Sequence, residues 1–170
     1  NTWLKGDYDI DIFVKFNFKK YWNKDISKIL GKALRRNFRT ILLHGSRDYY
    51  QIKRDEYKFE IVPVLDIKKA EQALNVTDIS PLHAEYVKKK ANNRLQDEIR
   101  ITKQFLKANK LYGAESYIKG FSGYLTELLV IYYKGFNNLL RNAIKWEDKL
   151  ILDPENHYKN KNKILQNLNI

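Results

Sequence analysis

Apolar residues follow one period in the first third of this chain and another in the rest. From Tyr8 to Phe16 β-branched and aromatic residues dominate, which predicts a strand. Asp25 then stands as an N-cap before Ile26, Ile29, Leu30, Ala33 and Leu34 at helical spacing, predicting a helix to Arg36 whose basic side (Lys28, Lys32, Arg35, Arg36) faces water. Further strands are expected at Arg39 to His44, Tyr49 to Lys53 and Lys58 to Leu65.

From Ile67 the period becomes helical. Ser80 reads as a cap with Pro81 at the first helical position, opening a helix toward Ala91. A longer helix is expected over Leu95 to Asn109, burying Leu95, Ile99, Phe105 and Leu106. Gly120-Phe121-Ser122 interrupts the chain and caps an apolar helix, Gly123 to Tyr133, hydrophobic on most sides and so expected in a core. After Gly135 comes Phe136 to Trp146. The tail is polar and rich in Asn and Lys, with a short strand and turn expected at Leu150 to Pro154. No internal repeat is visible. The pattern predicts an α+β protein: a mixed sheet with helices over 1–66, a helical domain over 67–146, and the start of a further segment over 147–170.

Composition narrows the setting. The 170 residues are 44% hydrophobic and contain no cysteine, which excludes disulfides and thiolate metal sites. No apolar run has transmembrane length and no signal peptide is visible, so a cytoplasmic, membrane-free protein is expected. The formal net charge of +12 fits a polyanionic partner, or an ordinary solvated surface and a base-biased genome. Oligomeric state, including a homodimer, is left open.

The charge gains meaning beside an acidic pattern. In Asp9-Ile10-Asp11, two carboxylates at i and i+2 of a strand leave the same face about 7 Å apart. Such a pair suits a divalent metal, Mg²⁺, that must also hold phosphate oxygens. Glu60, in Tyr57-Lys58-Phe59-Glu60-Ile61-Val62-Pro63-Val64, sits on a strand able to pair beside the first. Read alone it is an ordinary strand residue. Joined to Asp9 and Asp11 it makes three carboxylates able to hold two metal ions, a candidate nucleotidyl-transfer site. His44, His83 and His157 have no metal-ligand spacing, so zinc is not expected.

Several segments then carry a family resemblance. Asn1-Thr2-Trp3-Leu4-Lys5-Gly6, Asp9-Ile10-Asp11-Ile12-Phe13, Glu60-Ile61-Val62-Pro63, Phe105-Leu106-Lys107-Ala108-Asn109, Tyr112-Gly113-Ala114-Glu115 and Gly120-Phe121-Ser122-Gly123-Tyr124-Leu125-Thr126-Glu127-Leu128-Leu129 resemble, in order, the archaeal class I CCA-adding tRNA nucleotidyltransferases. The resemblance implies a polymerase-β-like nucleotidyltransferase head and a poly(A)-polymerase-like helical domain. It implies template-independent addition of C, C and A to the tRNA 3′ end from CTP and ATP, with Mg²⁺. Asp9, Asp11 and Glu60 fall on the family's metal-binding carboxylates, Glu60 standing where aspartate is more usual. Ser80 and His83 match a Thr and a His near the triphosphate and sugar, and Lys103 and Tyr112 match residues that contact the triphosphate.

Three departures accompany these matches. The family's Gly-Ser segment before Asn-Thr-Trp-Leu and its large tRNA-gripping C-terminal part are not in this sequence, so a fragment is expected. Gly45-Ser46 follows the first strand, where the family usually has an Ala-Glu-His-Pro-Tyr-like run, and reads as a decoy. Lys159-Asn160 stands where the family typically has arginine and asparagine. A non-catalytic RNA-binding module of the same lineage is the alternative reading.

Overall fold

The computed structural model describes residues 2–4, 6, 9–114, 117–147 and 150–158. They fall into two compact units, Trp3–Lys90 and Ala91–Ile170 together with Asn1–Thr2. Residues 67–90, read above with the helical half, group with the sheet. Among the described residues no helix is long and apolar enough to cross a membrane.

The first unit is built on four strands: β1 (Ile10–Asn17), β2 (Ile41–Leu43), β3 (Tyr49–Arg54) and β4 (Tyr57–Asp66). Their order is β1-β4-β3-β2, with β1 parallel to β4 and the other pairs antiparallel, so the sheet is mixed and the unit is α+β. The β3–β4 hairpin turns at Asp55, the only ladder connection short enough to need a positive φ, here 53°. β4 is central yet contains Pro63, which a ladder normally rejects. Its pairing with β3 stops at Ile61, so the missing N–H falls past the end of that ladder.

One face of the sheet is closed by helices. Asn17 caps the four-residue turn α1 (Phe18–Tyr21), its side chain accepting from the Lys20 N–H at 3.1 Å. Asp25 caps α2 (Ile26–Leu34), accepting from the Lys28 N–H at 3.0 Å as its position predicts. The apolar stripe of α2 packs Leu30 against Tyr50 and Ile61, and Ile26 against Leu65 and Ile67. Gly31 is required here: an added Cβ would lie 2.0 Å from the Tyr50 hydroxyl, which donates to the Ser27 carbonyl at 3.0 Å.

The other face is organised by one buried ion pair. Asp78, 1% exposed, lies in the 3₁₀ turn Val76–Ile79, and both of its carboxyl oxygens accept from the Arg47 guanidinium. It also accepts from the N–H groups of Leu65 at 2.8 Å and Asn75 at 3.2 Å, while Arg47 donates to the Pro63 carbonyl at 3.1 Å. Ser46 and Thr77 hydroxyls meet at 2.6 Å, and the Asn75 side chain donates to the Ser46 carbonyl at 2.6 Å. The β2–β3 loop, the end of β4 and the entry to α3 (Ser80–Lys90) are thus tied together. Ser80 is itself helical (φ −53°, ψ −41°) and not the cap expected, because the 3₁₀ turn runs straight into α3 and Asn75 caps that turn instead.

The second unit is helical. Asn92 caps α4 (Asn93–Ala108) and Ser122 caps α5 (Gly123–Tyr133); α6 (Phe136–Ala143) follows Gly135, whose φ of 138° suits glycine alone. Ile99, Thr102, Thr126, Leu129, Val130 and Leu139 form its interior. Two expectations are corrected here. Phe105 is 39% exposed, its ring edge-on to Phe136 at 5.3 Å, and α5 buries one side only, with Leu125 and Tyr132 about 40% exposed. The helix after Gly135 stops at Ala143, and Trp146 donates instead to the Tyr133 hydroxyl at 3.0 Å. No strand forms at 150–153, where no sheet lies among the described residues of this unit. The turn that follows is as expected, with Asp153 accepting from the N–H groups of His157 and Tyr158 at 3.0 and 2.8 Å. Lys159 and Asn160 lie outside the described residues.

Burial alone would push the Asp78 carboxyl up, but the hydrogen bonds and charge of Arg47 and the Leu65 N–H outweigh it and hold it below the usual carboxylate range. The stabilisation it brings is therefore present above the unfolded value near 3.8 and is lost as pH falls through the lowered folded value. Asp78→Asn or Arg47→Met is expected to cost about 3–5 kcal/mol in chemical denaturation at pH 7, because each leaves a buried charge or donor set unpaired. The Asp78→Asn deficit shrinks in acid.

Candidate active site

The register of β1 on β4 decides which acidic groups meet. Asp11 pairs with Glu60, and Glu60 pairs on its other side with Gln51 of β3, so the three side chains leave one face of the sheet in a row. Asp9 stands just before the ladder begins, and its carboxyl lies 4.0 Å from the Lys58 ammonium. Among the described residues no group of three or more His, Asp and Glu side chains converges as a metal-ligand set. Asp11 and Glu60 are side by side, and Asp9 approaches from the end of the strand.

The electrostatics of this row are one-sided. Asp11 keeps much of its surface in water, yet the atoms crowded round its carboxyl, and then the charge of Asp9, push it above the usual carboxylate range. Glu60 is pushed up by burial, then by Asp11 and Asp9, against the neighbouring Gln51 side-chain amide and the charge of Lys58. The Tyr49 hydroxyl is raised by burial and by Glu60, Asp11 and Asp9. Backbone pairing thus holds like charges together, with the Lys58 ammonium at the Asp9 end of the row.

Asp11 and Glu60 open into a pocket of about 240 Å³. Tyr49, the Gly45-Ser46-Arg47 loop, Thr77 and Ser80 line the same pocket. Of the residues singled out from sequence, Asp11, Glu60 and Ser80 are therefore brought into one cavity. The Gly45-Ser46 pair, read above as a decoy, belongs to the wall of that cavity, because Arg47 anchors its loop on Asp78. His83 lies on α3 outside the pocket lining, half-buried, and burial pushes its imidazole down, which keeps it neutral at pH 7.

Lys103 and Tyr112 belong to the helical unit. Lys103 is 7% exposed, and its ammonium donates to Glu127 at 2.8 Å and to the Thr2 carbonyl at 3.1 Å. The Thr2 hydroxyl donates to the same Glu127 oxygen at 2.5 Å. Tyr112 bridges to Phe121, and the Lys107 ammonium lies 5.3 Å from its ring centre. An added Cβ at Gly120 would lie 2.2 Å from the Leu111 carbonyl oxygen, and one at Gly123 2.9 Å from the Tyr112 hydroxyl. Close approach of backbone and ring explains both glycines of the Gly-Phe-Ser-Gly run.

Comparison with known proteins bears on this arrangement. A family model described as tRNA nucleotidyltransferase, second domain, matches residues 97–170. The CCA-adding enzyme of Nanoarchaeum equitans is 46% identical over 160 residues, 94% of this chain and 40% of that protein. That of Sulfurisphaera tokodaii is 41% identical over 148 residues, 85% of this chain and 36% of that protein. Over most of its length the chain is similar to archaeal CCA-adding enzymes. It spans about 40% or less of the length of these relatives. A chain in the solved E. coli MS115-1 CdnC:HORMA-deltaN complex shares the fold at a TM-score of 0.54 and 16% identity, over 94% of this chain and 64% of that one.

Sequence reading alone missed four residues that line or support this pocket: Arg47, Tyr49, Gln51 and Asp78. Strand parity carried a signal for two of them, since Tyr49 and Gln51 sit two apart on a strand predicted to lie in the carboxylates' sheet. Nothing local marks Arg47 and Asp78, which are 31 residues apart.

Because the folded Asp11 carboxyl lies above its ordinary value, the folded chain holds that proton more tightly than the unfolded chain, and ionisation by pH 7 costs stability. Asp11→Asn is expected to raise the melting temperature at pH 7. The gain shrinks as pH falls through the raised value toward 3.8. Melting curves across that range check this, and a lower melting temperature for Asp11→Asn at pH 7 contradicts it.

Proposed function

We propose that this chain carries the catalytic carboxylates of a CCA-adding enzyme, which extends the 3′ end of tRNA with C, C and A from CTP and ATP by two-metal nucleotidyl transfer. The observation that carries this reading is the in-register pair Asp11 and Glu60 opening into a pocket that Ser80 also lines. The names and 34–46% identities of the relatives support it.

Asp9, Asp11 and Glu60 are the proposed holders of divalent cations, taken to be Mg²⁺, since all three are hard oxygen donors. Bound there, such cations would neutralise charge on the attacking 3′-oxygen and on the leaving pyrophosphate. Ser80, which lines the pocket from the first turn of α3, offers a hydroxyl to a phosphate oxygen. His83, neutral at pH 7, can donate to a phosphate or sugar oxygen. For Lys103 and Tyr112 the proposal keeps the triphosphate contacts that the resemblance implies. The helical unit is proposed to be the poly(A)-polymerase-like central domain, and the excess of 12 positive charges to hold the tRNA backbone.

Incorporation of labelled CTP and ATP into tRNA lacking its CCA end, with Mg²⁺, tests this reading. Asp9→Ala and Asp11→Ala are expected to lower incorporation by roughly 10²-fold or more, the scale of losing a stabiliser of developing charge, with the circular dichroism spectrum unchanged. Wild-type rates in either variant would remove that residue from the mechanism. Tight binding of tRNA without any incorporation would replace the enzymatic reading with an RNA-binding one.

A further inference from the structure

We propose that the face of the sheet turned away from the carboxylates holds a single-stranded stretch of RNA, its bases stacked on exposed rings and its phosphates on three cations. The proposal does not draw on the cation-holding role of Asp9, Asp11 and Glu60. On this face the cross-strand pairs of β3 and β4 run from Tyr50–Ile61 through Ile52–Phe59 to Arg54–Tyr57. Burial falls along that row. Tyr50 and Ile61 are 3% and 7% exposed where they pack with Leu30 of α2, Ile52 and Phe59 are half-buried, and Tyr57 is 41% exposed. α2 ends at Leu34, and past its end the turn Asn37-Phe38-Arg39 and the sheet border a pocket of about 490 Å³ that Ile12, Ile52, Phe59 and Arg54 also line.

The charges around this pocket have one sign. Arg39, Lys53 and Arg54 are its only charged lining residues, all three are exposed, and among the described residues none of them pairs with a carboxylate. Phe38, 50% exposed, is kept beside them by its N–H, which donates to the Leu34 carbonyl at 2.9 Å. The Tyr57 ring lies 6.4 Å from that of Phe59, so the aromatic surface continues along the row toward Arg54. Exposed rings interleaved with cations suit a single strand: every base has a π face to stack, and a guanidinium offers a phosphate two parallel donors. A duplex would leave the rings unused, because its bases already stack on one another. An acidic peptide would meet the cations but brings few flat groups to the rings.

The probe is a fluorescein-labelled oligouridylate of about eight nucleotides, within the size range of such single-strand sites. Its binding to the 170-residue chain is followed by fluorescence anisotropy over a series of salt concentrations, in EDTA, so that no divalent cation bridges it to the carboxylates. Phe38→Leu, which keeps an apolar side chain without a ring, is expected to weaken binding about tenfold and leave the salt dependence unchanged, while Phe38→Tyr binds as wild type. Arg39→Gln and Arg54→Gln are each expected to weaken binding and to lower the salt slope by about 0.7, the share of one phosphate contact on a single strand. Lys89→Gln, in the last turn of α3, is expected to leave the slope unchanged, and Asp11→Ala to bind no more weakly than wild type. Wild-type affinity in Phe38→Leu, with Lys89→Gln falling as far as Arg54→Gln, would mean diffuse attraction to a basic surface and overturns the proposal. Loss confined to Asp11→Ala places the RNA at the carboxylates, overturning the proposal and leaving the function proposed above intact. A wild-type chain that ignores the oligouridylate, or that binds an acidic leucine-bearing peptide more tightly through the same residues, overturns it as well.

Discussion

The parallel pairing of β1 on β4 is the constraint from which the rest of the site follows. Side chains alternate along a strand, so a slip of one residue would send Asp11 to the packed face and bring Ile10 or Ile12 into the row beside Glu60. What prevents the slip is the opposite face, where Val14, Phe16, Ile61 and Leu65 are held against α2 and its surroundings. The apolar face thus fixes the register, and the register forces two like charges together. Backbone hydrogen bonds and hydrophobic burial bear the repulsion between the carboxylates.

The first unit holds two carboxylate environments of opposite character on that face. Asp78 is enclosed, fully satisfied by a planar guanidinium and backbone N–H groups, and lies below its ordinary pKa. Asp11 and Glu60 are partly wet, short of positive partners, and lie above theirs. The first kind of site brings stability and needs nothing more. The second costs stability and leaves an electrostatic demand for a cation. Their proximity is economical in chain: the loop that Arg47 pins to Asp78 is also the loop whose Gly45 and Ser46 wall the pocket. A compensated pair shapes the cavity, and an uncompensated pair makes it chemically useful.

Much of this was legible in the sequence because it depends on local rules. Asp25 and Ser122 cap helices where their positions predict, and the strand parity of Asp11 and Glu60 places both on one face. The failures have equally physical causes. Ser80 looked like a cap because Ser-Pro is a strong local signal, but the Asn75–Asp78 turn takes over that task through contacts that reach back to β4 and the β2–β3 loop. Phe105 kept helical spacing with its buried neighbours and still faces partly outward, since spacing gives a stripe without giving its width. The Leu150–Leu152 run has strand composition but no ladder to join. Arg47 and Asp78 could not have been paired from sequence, because the contact depends on tertiary closure and on no motif.

The meeting of α2 with Tyr50 also bears on how this protein could be engineered. Replacing a helical glycine by alanine is a standard route to greater robustness, because it removes disorder from the unfolded chain. At Gly31 that route is closed. The tyrosine hydroxyl occupies the volume a methyl group would need, and Tyr50, 3% exposed and bonded to the Ser27 carbonyl, has nowhere to retreat without breaking the helix–sheet seam. The same strand carries Tyr49 and Gln51 on its other face, so a substitution made for rigidity on the packed side would reach the carboxylate row through a single backbone.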